Sequence, residues 1–141
     1  MIIRIDTTSS TPVYAQIIDQ IKRAIASGAI RSGDVLPSLR ETAVKLRVNP
    51  LTVNKAYKQL EHEGLIETRH GLGSFVTASG EALIQGFRRE TLAREFDAVI
   101  VDAWHMGVTP DELRQIFDER AEAANDGLAQ HNIERSSKDE Q

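Results

Sequence analysis

The stretch from Leu36 to Val76 constrains this chain more than any other: L-P-S-L-R-E-T-A-V-K-L-R-V-N-P-L-T-V-N-K-A-Y-K-Q-L-E-H-E-G-L-I-E-T-R-H-G-L-G-S-F-V. It opens on S-L-R-E, a capping box in which the Ser38 hydroxyl can take the amide of Glu41 while the Glu41 carboxylate reaches back. Leu39, Ala43 and Leu46 then fall on one side of a short helix. A tight turn is expected near Arg47-Val48. Asn49 is placed to cap a further helix, with Pro50 in its first helical position, where a missing N–H costs nothing. On that helix Val53, Ala56, Tyr57 and Leu60 share one face, and Leu51, Lys55, Lys58 and His62 point the opposite way. Thr52, Asn54 and Gln59 lie on the flanks, and Tyr57 is expected in the core despite its hydroxyl. Gly64 ends the helix. Leu65–Arg69 reads as a strand, His70–Gly73 as a turn and Ser74–Thr77 as the return strand.

Two short helices, a tight turn and a hairpin in that order make the plan of a winged helix-turn-helix, which places its second helix in the DNA major groove. A helix whose apolar face is anchored and whose other face shows Lys, Asn and Thr suits insertion between phosphate walls. The net charge of −4 fits this only once it is divided. Residues 1–77 carry ten Lys/Arg and seven Asp/Glu, a balance of +3, whereas residues 78–141 carry seven and fourteen, a balance of −7. The front half is the part suited to phosphate.

Residues 1–10 read as a polar arm. Thr11 can cap the first helix, with Pro12 in its first turn, and Tyr14, Ile17, Ile18, Ile21 and Ile25 recur at helical spacing up to Ser27-Gly28. Val35-Leu36 can form a very short strand. After Ser79-Gly80 the chain turns acidic and helical. Leu92, Phe96, Val99, Ala103 and Met106 step by four and three, a seam that calls for a partner helix, and Ile100 and Trp104 widen it. Gly107-Val108 breaks this helix, and T-P-D-E at Thr109–Glu112 is a second capping box. Leu113, Ile116, Phe117, Ala121 and Ala124 line one side of a last helix, expected to stop at Gly127. From Gln130 the chain is polar and expected to be disordered. The fold class is therefore α+β: a winged helix-turn-helix over 1–78, a small all-helical dimerisation region over 79–128 and a disordered tail over 129–141.

The absence of cysteine excludes disulfides, thiolate metal sites and cysteine nucleophiles. His62, His70, His105 and His131 are too scattered for a metal motif. G-L-G-S at the hairpin lacks the length and the following helix of a nucleotide-binding loop. No catalytic residues, metal or cofactor are expected, so the chain does not read as an enzyme. No apolar run approaches the roughly 20 residues needed to cross a bilayer. The start M-I-I-R-I-D does not resemble a signal peptide, so a cytoplasmic location is expected.

Residues 11–77 resemble the DNA-binding domain of GntR-family bacterial transcription regulators. The resemblance is carried by P-V-Y-A-Q-I-I-D-Q-I, G-A-I-R-S-G-D-V-L-P-S-L-R-E-T-A, V-N-P-L-T-V-N-K-A-Y-K-Q-L-E-H-E-G-L-I and R-H-G-L-G-S-F-V. The N-P-x-T-V-x-K-A-Y stretch and the short two-helix tail resemble the YtrA-like branch, whose members lack a large effector domain. The resemblance implies a homodimer that binds a palindromic double-stranded operator, usually as a repressor. It assigns DNA contacts to Ser38 and Arg40 of the P-S-x-R motif, to Asn49, Pro50, Leu51, Thr52, Asn54 and Lys55 at the start of the recognition helix, and to Arg69, His70 and Gly71 in the wing. By their chemistry Lys55 and Asn54 are the best base readers, and Lys58 suits phosphate. Leu51 and Leu72 depart from the family pattern, which commonly has a polar residue and a lysine there. Leu51 cannot donate to a base edge but can touch a thymine methyl, so the operator is expected to differ from those of close relatives. A second chain would pair through Leu92, Phe96, Val99, Ile100, Ala103, Trp104 and Met106; the alternative, which can coexist with it, is that this seam packs on the shorter helix of its own chain. The alternative is a winged-helix protein–protein module without DNA binding, which the basic, non-aromatic outward face argues against. The effector is unknown, and would have to bind between the tail helices or near Ser79-Gly80.

Overall fold

The computed structural model describes residues 2–139. The helices are α1 (Val13–Ala26), α2 (Leu39–Leu46), α3 (Pro50–His62), α4 (Gly80–His105) and α5 (Pro110–Asp139), with strands β1 (Ile66–Arg69) and β2 (Gly73–Val76) between α3 and α4. The chain divides into two compact units, one ending at Leu92 and the other beginning at Ala93.

In the first unit α1, α2 and α3 bury one core. Ile17, Ile21 and Ile25 of α1 are buried with Val53, Ala56, Tyr57 and Leu60 of α3, and Ala43 of α2 joins them. The spacing of these residues is the helical periodicity read from the sequence. Tyr57 is in the core, as its place on the apolar face requires. Its hydroxyl donates to the Pro37 carbonyl (2.8 Å) and lies 3.0 Å from Thr42 Oγ1. A tyrosine has one proton, so Thr42 donates in that second bond. Burial pushes the Tyr57 phenol above its ordinary pKa, which keeps it neutral. The two bonds tie the α2 entry to the middle of α3.

The hairpin is antiparallel, pairing Ile66 with Val76 and Arg69 with Gly73. Ile66 and Val76 face the core, and Gly71 supplies the positive φ (74°) in the turn between the strands. The short strand expected at Val35-Leu36 is an isolated bridge from Val35 to Phe75, extended by Leu36 N–H to the Ser74 carbonyl (2.8 Å) and Val76 N–H to the Asp34 carbonyl (2.9 Å).

Three local readings of the first unit change. Helix α1 begins at Val13 with Pro12 at the cap position and no side-chain cap bond. Thr11 does not cap; its carbonyl is taken by Gln16 Nε2 (2.9 Å). The polar arm is pinned and partly apolar. Gln20 bonds both the amide (2.8 Å) and the carbonyl (2.6 Å) of Arg4, and Gln16 does the same for Asp6 at 2.9 and 3.0 Å. Two glutamines four residues apart on α1 thus stand in for a β-partner. Ile3 and Ile5 alternate inward and pack on the core. Finally, the unit does not close at residue 78. Ile84 is 1% exposed in the main core, Phe87 packs against it, and Arg88 donates to the Ala26 carbonyl. Gly80 is buried, and a side chain there would press on Thr77 and Leu65, so no open hinge exists at Ser79-Gly80.

This last point sets a test. A fragment ending at Gly80 loses Ile84 and Phe87, and emptying one large aliphatic site costs about 2–5 kcal/mol. It is expected to melt at least about 10 °C below a fragment ending at Leu92. Equal melting temperatures by circular dichroism would place the unit's end before α4.

In the second unit the rest of α4 and α5 are joined at Gly107-Val108. The capping box at the start of α5 is formed: Thr109 N–H meets Glu112 Oε2 (2.8 Å) and Glu112 N–H meets Thr109 Oγ1 (3.2 Å). The Phe96 and Phe117 rings lie 6.0 Å apart, within the range of favourable aromatic pairing. Helix α5 does not stop at Gly127 but runs to Asp139, so the stretch expected to be disordered from Gln130 is helical that far. Gly127 is absent from the glycines with positive φ. A helical glycine costs only about 1 kcal/mol. Glu140 and Gln141 lie outside the described residues. No helix among the described residues is long and apolar enough to cross a membrane.

Candidate nucleic-acid interface

Helix α2 begins at Leu39 because Ser38 caps it. Ser38 Oγ accepts from Glu41 N–H (3.1 Å) and Glu41 Oε2 accepts from Ser38 N–H (2.9 Å). These bonds, the backbone one first, hold the Glu41 carboxyl below its ordinary pKa of 4.5. A depressed carboxylate contributes above its unfolded pKa and is lost as pH falls through its folded one, so the cap stands intact at neutral pH. The Ser38 hydroxyl is therefore committed to the cap. Arg40, two residues on, is exposed in the first helical turn, where unpaired amides already favour an anion.

The turn into α3 uses Arg47 at φ 55°, the one described non-glycine residue with positive φ. Val48 N–H bonds the Ala43 carbonyl (3.0 Å), which closes the turn. Asn49 caps α3 through Oδ1, accepting from Leu51 N–H (2.8 Å), and Pro50 takes the first helical position. Only the Nδ2 end of Asn49 is left to face outward. Leu51 is 72% exposed, Thr52 and Asn54 are half-buried on the flanks, and Lys55 and Lys58 are exposed. Lys55 does not stand straight out from α3: its Nζ lies 3.9 Å from the centroid of the Tyr14 ring on α1.

The wing carries Arg69, His70 and Gly71 at its turn, all exposed. Arg69 is already engaged. Its Nε and Nη2 donate to Glu67 Oε1 at 2.9 and 2.5 Å, and its guanidinium lies 4.7 Å from the Phe75 ring. Leu72 beside it is 68% exposed.

Sequence reasoning passed over two further cations. Lys45 in the last turn of α2 and Arg47 in the turn are both exposed beside the start of α3. Among the described residues, Arg40, Lys45, Arg47 and Lys58 have no ion-pair partner, whereas Lys22 is paired to Glu63 (2.7 Å) and Arg69 to Glu67. Unpaired cations around an exposed helix start leave a positive surface able to displace counterions from a polyanion. Basic residues in a helical turn carry no recognisable spacing, which is why only their placement reveals them.

The candidate pairing residues divide. Leu92 closes the first unit. In the second, Phe96, Val99, Ile100, Trp104 and Met106 are each 46–77% exposed, while Ala103 is only 5% exposed. An apolar groove of about 630 Å³ runs between α4 and α5, lined among others by Phe96, Ile100, Trp104, Leu113 and Phe117. Val101, 51% exposed and off the four-and-three spacing, adds apolar surface that the seam does not include. No group of three or more His, Cys, Asp or Glu among the described residues could hold a metal ion.

Residues 13–76 match the model of the bacterial regulatory proteins of the gntR family. The chain is 39% identical over 117 residues to the HTH-type transcriptional repressor YtrA of Bacillus subtilis (strain 168), covering 83% of this chain and 90% of that protein. Among solved structures it is similar to a GntR family transcriptional regulator from Listeria monocytogenes, with a TM-score of 0.67, 30% identity, and 82% and 98% of the two chains covered. It is also similar to YtrA from Sulfolobus acidocaldarius, a GntR-family transcription factor, with a TM-score of 0.53, 41% identity, and 71% and 99% covered. The winged helix-turn-helix built by α1–α3 and the β1–β2 hairpin, with a short helical tail and no larger second domain in the described residues, agrees with these likenesses: this chain belongs to the GntR family of DNA-binding transcription regulators.

Proposed function

We propose that the protein represses transcription as a homodimer bound to a palindromic operator, each protomer placing the N-terminal half of α3 in a major groove. The observation that carries this reading is the surface around the α3 start. There Arg40, Lys45 and Arg47, with Lys58 two turns further along α3, are exposed without ion-pair partners, and Asn54 and Leu51 offer an amide and a methyl cluster to base edges. In this reading Arg40 makes a forked contact to guanine or phosphate, Asn54 pairs with adenine, Leu51 meets a thymine methyl and Lys58 meets phosphate. Asn49, Pro50 and Thr52 approach the backbone at the helix start, Ser38 holds Arg40 in place through the cap, and His70 and Gly71 bring the wing against the neighbouring groove. The similarity to the repressor YtrA supports repression. The family's regulators, unlike enzymes, need only this binding surface, and the chain is assigned no catalytic role. A cytoplasmic location follows from the target.

Selecting bound sequences from a random DNA pool tests the reading. The expected result is an inverted repeat whose half-sites lie one helical turn apart or a multiple of it. Affinity should also fall steeply with salt. A flat salt response, or no enriched sequence, would overturn it.

The wing supports a smaller test. Glu67 competes with phosphate for Arg69 in the free protein. An exposed pair of this kind is worth up to about 1 kcal/mol. Glu67→Gln is expected to raise DNA affinity up to about fivefold for each wing engaged, read by fluorescence anisotropy. No gain would show that Arg69 stays away from the duplex.

A further inference from the structure

Tyr14 lies in the first turn of α1, outside the α2–α3 pair, half-buried against the core. Its ring face receives the Lys55 ammonium at 3.9 Å from the centroid. A lysine otherwise spreads over many rotamers, and ordering it on binding costs conformational entropy. The ring removes part of that cost beforehand, because the ammonium is drawn to the negative face of the π-system. It also fixes a direction. A helix with its side chains is about 10–12 Å across, and the major groove is about 12 Å wide, so α3 nearly fills the groove. A side chain that leaves the outward face and leans back over a neighbouring helix points at the groove wall, where phosphates run, and away from the base edges on the floor. One side of the ammonium rests on the ring, and its remaining N–H groups are free to meet an oxyanion.

We propose that Tyr14 is a positioning residue that sets Lys55 as a phosphate contact, and so corrects the sequence-based expectation that Lys55 reads a base. This rests on the placement of α3 in the groove argued above. Lys55 then supplies affinity common to every sequence, and discrimination is left to Arg40, Asn54 and Leu51.

The test uses the full chain with Tyr14→Phe, Tyr14→Leu, Lys55→Met and the Leu–Met double variant, on the selected operator and on random duplex across a salt series. Lys55→Met is expected to weaken both duplexes by the same factor and to lower the salt slope by about one for each engaged protomer. Tyr14→Leu should weaken both by about three- to tenfold. Tyr14→Phe, which keeps the ring and loses the hydroxyl, should stay within about twofold. In the Lys55→Met background, Tyr14→Leu should cost nothing further. A Lys55→Met loss confined to the operator would make Lys55 a base reader, and losses that add would place the Tyr14 effect elsewhere; either result overturns the proposal. A second measurement does not depend on how well Tyr14→Leu folds. The Lys55 ε-methylene protons of the native chain should be shifted upfield by the ring in nuclear magnetic resonance spectra, and remain so on the operator. Loss of that shift on binding would also overturn it. Arg40→Ala separates the two levels. If that variant loses the operator while the Tyr14–Lys55 coupling is absent, this inference alone fails; if it too binds normally, the groove placement fails.

Discussion

Arg40→Ala is expected to abolish specific operator binding while leaving the protein folded. The side chain is exposed, and among the described residues it has no ion-pair partner, so its removal should change stability by no more than about 0.5 kcal/mol. A good forked contact to a base discriminates by about 1–3 kcal/mol. In the proposed homodimer two protomers on a palindrome lose it twice, about 2–6 kcal/mol, which is roughly thirtyfold to more than ten-thousandfold in affinity. Arg40→Lys should recover only part of this, because an ammonium keeps the charge and loses the fork. A gel shift that leaves operator affinity unchanged would remove Arg40 from the interface. Equal weakening on operator and random duplex would assign it to phosphate.

The place of Arg40 in the first turn of α2 is legible in sequence because the features that set it are local. The S-L-R-E box, the Asn49-Pro50 start, Gly64 and the glycines of the hairpin each act within a few residues, and each appears in the structure as the bonds it implies. What sequence did not reveal depends on partners far along the chain. The arm reads as polar because Arg4 and Asp6 dominate it, yet its ordering comes from Gln16 and Gln20, ten and sixteen residues away. The change of composition after Ser79-Gly80 reads as a domain boundary, but Ile84 and Phe87 beyond it complete the core of α1 and α3, so the compact unit extends into α4. Lys55 reads as a groove-facing cation, and only its position over Tyr14 shows which way it leans. At Gly127 a local stop signal gives way to a helix that continues, since one glycine costs less than the helix formers around it return.

The second large effect is expected from the tail. Phe96, Val99, Ile100, Trp104 and Met106 are large apolar side chains each left 46–77% exposed on the second unit, and apolar exposure concentrated on one helix is what an interaction surface shows. Pairing with the same surface of another chain would cover it, and a self-complementary patch of this sort gives a closed two-fold dimer. The choice of substitutions follows from burial. Ala103 belongs to the seam by spacing but is 5% exposed within the α4–α5 hairpin, so a charge there would damage the protomer itself. Val99 and Trp104 are 48% and 77% exposed, and Val99→Glu with Trp104→Glu should leave the hairpin formed while placing two unpaired carboxylates at the centre of the proposed dimer contact. Sedimentation equilibrium is expected to give a monomer at micromolar concentration. Each protomer then meets one half-site alone, and the gain from joining two binding modules, about 100- to 10,000-fold, disappears from operator affinity. The first unit should keep its melting transition, because it ends at Leu92 and its core contains neither substituted residue. A variant that still sediments as a dimer would show that the chains pair through another surface, with Val101 the first exposed apolar residue of α4 outside the seam to test.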